Sequence, residues 1–169
     1  MFDVGTYVMY NRTGVCQVMN IGSNSMPDVF ENDDLFYTLK AFYGTEIIYL
    51  PVDSDKLREI VNKEAAELFL KKTPSLIEQF REEDPKVEQR ELSNFYKSLL
   101  ANSDMEDWLK LLSYIYRKKE VMRNGGKKLC QTDKIYEDKV EQLMFGELSI
   151  ALDRDRDEVR SRFIERFLS

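Results

Sequence analysis

Residues 4–21, VGTYVMYNRTGVCQVMNI, decide how this chain begins to fold. Val4, Thr6, Val8 and Tyr10 alternate with Gly5, Tyr7 and Met9, the two-residue period of a strand whose faces differ. Asn11-Arg12-Thr13-Gly14 supplies turn chemistry, and Val15 to Ile21 alternate again before Gly22 closes the run. The pair reads as an antiparallel hairpin. Beyond a polar loop holding Pro27, Asp33 and Asp34, residues 35–42 predict a third strand, Tyr43-Gly44 a turn, and residues 46–50 a fourth. Four short antiparallel strands at this spacing predict a small β-barrel. Pro51 marks its exit, because it cannot donate to a central ladder.

After Asp53 the period changes to that of helices. Asp53 or Ser54 can cap a helix running to about Leu70, with Leu57, Ile60, Val61, Ala65 and Leu68 on one face. Thr73-Pro74 predicts a restart, with Thr as cap and Pro at the first helical position, for a short helix ending near Asp84. Pro85 opens a third helix carrying Val87, Leu92, Phe95, Tyr96, Leu99 and Leu100. Ser103 and Glu106 form a capping box for a fourth, stopped by Asn124-Gly125-Gly126. Thr132 caps a fifth that runs to about Leu152, and Asp153 or Asp155 a sixth bearing Val159, Phe163 and Phe167. The expected class is therefore α+β: a β-barrel over residues 1–56, then an all-helical region over residues 57–169.

The 169 residues are 43% apolar and 33% charged, a balance that supports a packed core rather than a disordered chain. No basic n-region opens the chain and no window approaches ~18 uninterrupted apolar residues, so a cytoplasmic protein without a membrane span is expected. Cys16 and Cys130 are too far apart to form a metal knuckle or a disulfide framework, and read as buried free thiols. Net charge is −6, but residues 1–56 hold eight acids against three bases, while residues 57–169 hold twenty-three against twenty-two. Within the second region Lys110, Arg117, Lys118, Lys119, Arg123, Lys127 and Lys128 face only Glu120 in sequence, a local positive field able to meet phosphate or to be solvated.

Catalytic chemistry finds little footing. The chain has no histidine, which removes the commonest general base and imidazole metal ligand. Neither GxxxxGK[ST] nor GxGxxG occurs, and carboxylate pairs such as Glu82-Glu83 and Glu137-Asp138 are ordinary on charged helices. Trp108, with Met105, Leu111, Leu112 and Ile115 at helical spacing, reads as core. Tyr7, Tyr10, Tyr37, Tyr43 and Tyr49 exceed what a barrel this small buries, and surface aromatics mark protein-docking faces. Composition and period thus give a non-catalytic binding protein with no metal and no cofactor.

Four segments carry a family resemblance: DVGTYVMYNRTGVCQV at residues 3–18, IIYLPVD at 47–53, FYKSLL at 95–100 and FGELSIAL at 145–152. In that order they resemble CarD-like (CdnL) bacterial transcription regulators. The resemblance implies a Tudor-like barrel similar to the polymerase-interacting domain of transcription-repair coupling factors, then a helical DNA-contacting domain. It also implies a regulator that docks on the RNA polymerase β subunit and contacts promoter DNA upstream, modulating open-complex stability.

The family's docking strand corresponds to Ile47, Ile48, Tyr49 and Leu50, with Tyr37 and Leu39 on the neighbouring strand. Positions where members often carry a base fall at Tyr49 and Asn24, so apolar docking is expected here. The DNA-contacting positions fall at Arg90, Leu92, Asn94, Lys97, Lys134 and Lys139. Leu92 stands where the family has a wedging tryptophan and Asn94 where it has an arginine. Leucine can act as an apolar wedge in a minor groove, and core packing is the other reading of Leu92. Three lysine contacts imply weak, salt-sensitive DNA binding that becomes useful once the protein is tethered to polymerase. The alternative function is a protein-only adaptor whose helices meet a second protein and never DNA. Neither reading needs a small-molecule substrate.

Overall fold

The computed structural model describes residues 1–23, 35–83 and 85–168. Asn24, the loop holding Pro27, Asp33 and Asp34, and the predicted helix end at Asp84 lie outside the described residues. The chain divides into two compact units, Met1–Ile60 and Val61–Ser169.

The first unit is one antiparallel sheet of five strands: β1 (Tyr7–Tyr10), β2 (Gly14–Ser23), β3 (Leu35–Ala41), β4 (Ile47–Pro51) and β5 (Leu57–Glu59). Their order is β4-β3-β2-β1-β5. The sheet does not close, which corrects the barrel expectation: β4 and β5 stand at opposite edges. The hairpin register pairs Tyr10 with Gly14, whose φ of +104° admits glycine without strain. A bulge at Met19 shifts the β2–β3 register between Val18 and Asn20, and Met19 projects outward there. Val8, Tyr10, Cys16, Val18, Tyr37 and Leu39 form the core on one side, with Phe2, Ile48, Leu50 and Leu57 packed against it. Burial pushes the Cys16 thiol up to about 11, so it stays a neutral packing group.

Leu57 corrects a second expectation. The sequence reading puts it on a helix, yet Leu57–Glu59 pair with Val8–Tyr10 as a fifth strand. The exposed flank of β1 supplies ladder hydrogen bonds that a short amphipathic period cannot anticipate. Helix capping passes instead to Asn62, whose Oδ1 accepts the Ala65 amide at 2.8 Å.

The second unit holds, among the described residues, α1 (Lys63–Glu82), α2 (Leu92–Ala101), α3 (Met105–Asn124), α4 (Gln131–Leu152) and α5 (Arg156–Phe163). A 3-10 turn, Gln89–Glu91, leads into α2, and a π turn, Ile164–Leu168, follows α5. The two helices expected around Thr73-Pro74 are one. Ala66, Phe69, Thr73, Ile77 and Phe80 stay in phase on the buried side of α1, so packing carries the helix through an exposed Pro74. Thr73 is no cap; its hydroxyl donates to the Phe69 carbonyl at 2.8 Å, inside the helix. The caps of α3 and α4 also shift by a residue or two, while that of α5 is one of the two expected. Asp104, not Ser103, accepts the Glu106 amide, Cys130 rather than Thr132 precedes α4, and Asp155 accepts the amides of Asp157 and Glu158.

The core of this unit is α3 against α4. Trp108, Leu109, Leu111, Leu112 and Ile115 meet Val140, Leu143, Met144, Phe145 and Leu148, all at 1% exposure or less. Pro74 removes one backbone donor inside α1 with no buried side chain in return. Pro74→Ala is therefore expected to stabilise the protein by about 1–3 kcal/mol, read from the midpoint of urea unfolding at unchanged slope.

Candidate functional site

Two surfaces hold the residues singled out in the sequence. The first is the β4 edge. As the outermost strand among the described residues, β4 is hydrogen-bonded there on one side only, by β3, in the register Leu39↔Ile48 and Tyr37↔Leu50. Its side chains alternate. Ile48 and Leu50 turn onto the core, while Ile47 is 57% and Tyr49 39% exposed. Tyr37 and Leu39 are core residues and offer no surface: Leu39 has no exposure, and the Tyr37 hydroxyl accepts the Phe2 amide at 2.7 Å. They fix β4 from behind.

Thr38 and Lys40, opposite Tyr49 and Ile47, share the outward face. The sequence reading did not select Lys40. Its place opposite an exposed isoleucine follows from the strand register, which residue order alone does not reveal. Phe42 and Tyr43 add an exposed aromatic pair at the β3–β4 turn, their rings edge to face at 4.7 Å, and Tyr7 meets Phe42 at 5.5 Å. Tyr10, by contrast, is buried.

The second surface lies in the helical unit, on α2 and the first turns of α4. These helices are joined by the Tyr96 hydroxyl donating to Asp133 at 2.7 Å and by a Ser93–Tyr136 hydroxyl contact at 3.2 Å. Lys97 follows Tyr96 and Lys134 follows Asp133 in sequence; both are exposed, as is Asn94. Lys139 stands further along α4 and is half-buried. Arg90, in the 3-10 turn, is held by Glu88 at 2.8 Å. Leu92 is 5% exposed and buried at the start of α2, which favours its packing role over that of a surface wedge.

The positive field read from residues 108–132 is largely spent inside the fold. Lys110 binds Glu83 at 2.6 Å, Lys118 binds Asp133 at 2.9 Å and Lys119 binds Glu137 at 2.8 Å. Arg117 donates to the carbonyls of Arg81 and Glu83 at 2.9 and 3.2 Å, capping the C-terminal turn of α1. Of that group, Arg123, Lys127 and Lys128 are left with neither an ion pair nor a carbonyl partner among the described residues. The partners are distant in sequence, so a local charge count cannot see them.

Asp133 organises these contacts. It has no exposure and accepts from Tyr96, from Lys118 and, at 3.1 Å, from the Cys130 thiol. Burial alone raises its pKa, but these donors outweigh burial and hold the carboxyl below the usual aspartate range. Burial, together with the same contact, drives the Tyr96 hydroxyl far above its ordinary value.

No group of histidine, cysteine and carboxylate side chains suited to a metal ion occurs among the described residues, and no described helix is long and apolar enough to cross a membrane.

Residues 2–62 match the family described as the CarD-like/TRCF RID domain. The N-terminal sheet is a CarD-like/TRCF RID domain. The match spans all five strands, β5 and its flanks included, and ends where Asn62 caps α1. Domains of this family interact with RNA polymerase and are non-enzymatic, which suggests a polymerase interaction for the chain that carries one. No curated protein matches the chain.

Because the folded-state pKa of Asp133 is lowered, its contribution to stability is present above the ordinary aspartate value and is lost as pH falls through the folded value. Asp133→Asn is expected to destabilise the protein by about 2–3 kcal/mol at neutral pH, below the range for a fully buried pair because Lys118 can still reach water. Urea unfolding at pH 7 and below pH 4 checks both statements: the difference between wild type and variant should shrink in acid.

Proposed function

We propose that the chain is a transcription regulator that binds the RNA polymerase β subunit through the β4 edge and touches promoter DNA with its helical unit, modulating open-complex stability. The observation that carries the reading is a RID domain whose outermost strand has one flank open and Ile47 and Tyr49 outward. An open strand flank can take a partner strand, with backbone hydrogen bonds giving affinity and alternate side chains giving selectivity. Apolar contact through Ile47 and Tyr49, flanked by Lys40, takes the role of charged docking.

Promoter contact rests on Lys97 and Lys134, exposed cations without an ion pair among the described residues, with Lys139 further along α4. So few phosphate contacts make affinity for free DNA low and steeply salt-dependent, and tethering to polymerase supplies the effective concentration. Leu92 enters as the residue that seats α2 and so orients Lys97.

A protein-only adaptor is the second reading. It is favoured by the neutralisation of Lys110, Lys118 and Lys119 within the fold and by the net charge of −6.

Ile47→Asp with Tyr49→Asp is expected to abolish capture of the polymerase β subunit while the thermal melt stays within a few degrees of wild type, since both side chains are outward. Retained capture would remove the β4 edge from the proposal. Lys97→Glu with Lys134→Glu should shorten the lifetime of the promoter complex several-fold, leave polymerase capture intact, and lower the log-log salt slope by about 2, roughly 0.9 per phosphate contact. An unchanged lifetime would favour the adaptor.

A further inference from the structure

The helical unit contains a cavity of about 540 Å³ between the end of α1, α2 and α3. That volume falls within the roughly 300–1,000 Å³ of small-molecule sites. Its apolar wall is Leu92, Phe95 and Tyr114, with Phe95 and Tyr114 near parallel, ring centres 6.1 Å apart at 23°. Val121 and Met122 close the side toward the C-terminal half of α3, and Val121 is 67% exposed at the margin. Four cations line the same space, Arg81, Lys86, Arg117 and Lys118, and among the described residues no carboxylate does.

In a chain with net charge −6 that segregation is informative. The four cations are not equivalent. Arg117 is committed to the α1 carbonyls and Lys118 to Asp133. Arg81 and Lys86 are exposed, and their side chains have no partner among the described residues. Two cations without a partner among the described residues therefore stand beside a half-buried aromatic ring, Phe95, with two committed ones adding a fixed positive potential behind it.

We propose that this cavity binds a nucleotide, its base over Phe95, which Tyr114 backs from within, and its phosphate on Arg81 and Lys86. The chemistry selects this class from both ends. A flat ring gains stacking area on an aromatic wall whatever its edge groups. A guanidinium and an ammonium at the mouth give charge-assisted hydrogen bonds that phosphate oxygens satisfy better than a single carboxylate does. A purely apolar ligand would leave the cations without purpose, and inorganic phosphate would leave the rings uncovered. The same base and phosphate could come from a free nucleotide or from one residue of a single strand. The inference does not rest on the polymerase or promoter reading.

The test is calorimetric titration of the full chain with adenosine diphosphate, adenosine, inorganic phosphate and a single-stranded deoxyadenosine ten-mer. Adenosine diphosphate is expected to bind saturably with Kd below about 1 mM, and adenosine and phosphate each at least about tenfold more weakly. Arg81→Glu with Lys86→Glu, both at exposed positions, should weaken the diphosphate about tenfold while leaving adenosine unchanged. Val121→Trp, at an exposed position on the margin, should exclude adenosine and diphosphate alike, with the circular-dichroism melt as control for folding.

The ten-mer decides the source. If the diphosphate displaces it, the cavity takes a residue of a strand; if the diphosphate binds and the ten-mer does not compete, the occupant is a free nucleotide. The proposal is overturned by any one of three results: no saturable binding of the diphosphate or the ten-mer, phosphate binding as tight as the diphosphate, or diphosphate affinity unchanged in the Arg81/Lys86 variant.

Discussion

A carboxylate without exposure, Asp133 at the first turn of α4, sets the terms for the helical unit. It receives Tyr96 from α2, Lys118 from α3 and Cys130 from the residue before its own helix. Burying such a charge is tolerable only when every lone pair finds a donor, and an incomplete set is worse than none. Three donors from three places in the chain therefore specify one arrangement of α2, α3 and α4. The apolar face of α3 against α4 supplies the larger share of burial, but apolar contact alone is non-directional. The register between these helices is fixed by Asp133 and extended by the Lys119–Glu137 and Arg160–Glu141 pairs along α4.

That constraint also decides what the surface of this unit can offer. Each cation drawn inward to a buried or half-buried carboxylate is one that no longer faces a partner. The seven basic residues of residues 108–132 look like a single patch in sequence; in the fold, Lys110, Lys118 and Lys119 hold helices together and Arg117 caps α1. Among the cations left outward, Lys97, Lys134 and those at the end of α3 are dispersed, while Arg81 and Lys86 gather at one cavity. In the sheet unit the corresponding constraint is the end of the ladder. With no strand beyond β4 among the described residues, the alternation that turns Ile48 and Leu50 onto the core leaves Ile47 and Tyr49 on the outward face.

Much of this was legible from residue order where the signal is local. Alternation located β2 to β4 within a residue or two and β1 with three residues too many at its start, and Gly125 ended α3 where expected. Trp108 was identified as core from its neighbours. The errors share a cause: they occur where a distant element overrides a local preference. Leu57 left its helix-like pattern to pair with β1, and α1 continued through Pro74 because buried residues on both sides of it stayed in phase. Of the candidate site residues, Ile47, Tyr49, Asn94, Lys97 and Lys134 lie on the surface, while Tyr37, Leu39 and Leu92 support it from within. Arg90 is paired with Glu88.

By itself the sequence determined the α+β division, the hairpin, the absence of histidine chemistry and the kinship of the first sixty residues, because each is written in spacing or composition over a few neighbours. Only the tertiary structure decided that the sheet stays open, which side of β4 faces out, which lysines are engaged, and that a cationic cavity forms beside α2. Those depend on pairings between residues well separated in sequence, such as Tyr37 with Leu50 or Tyr96 with Asp133, and Coulombic and ladder partners at that separation leave no local trace.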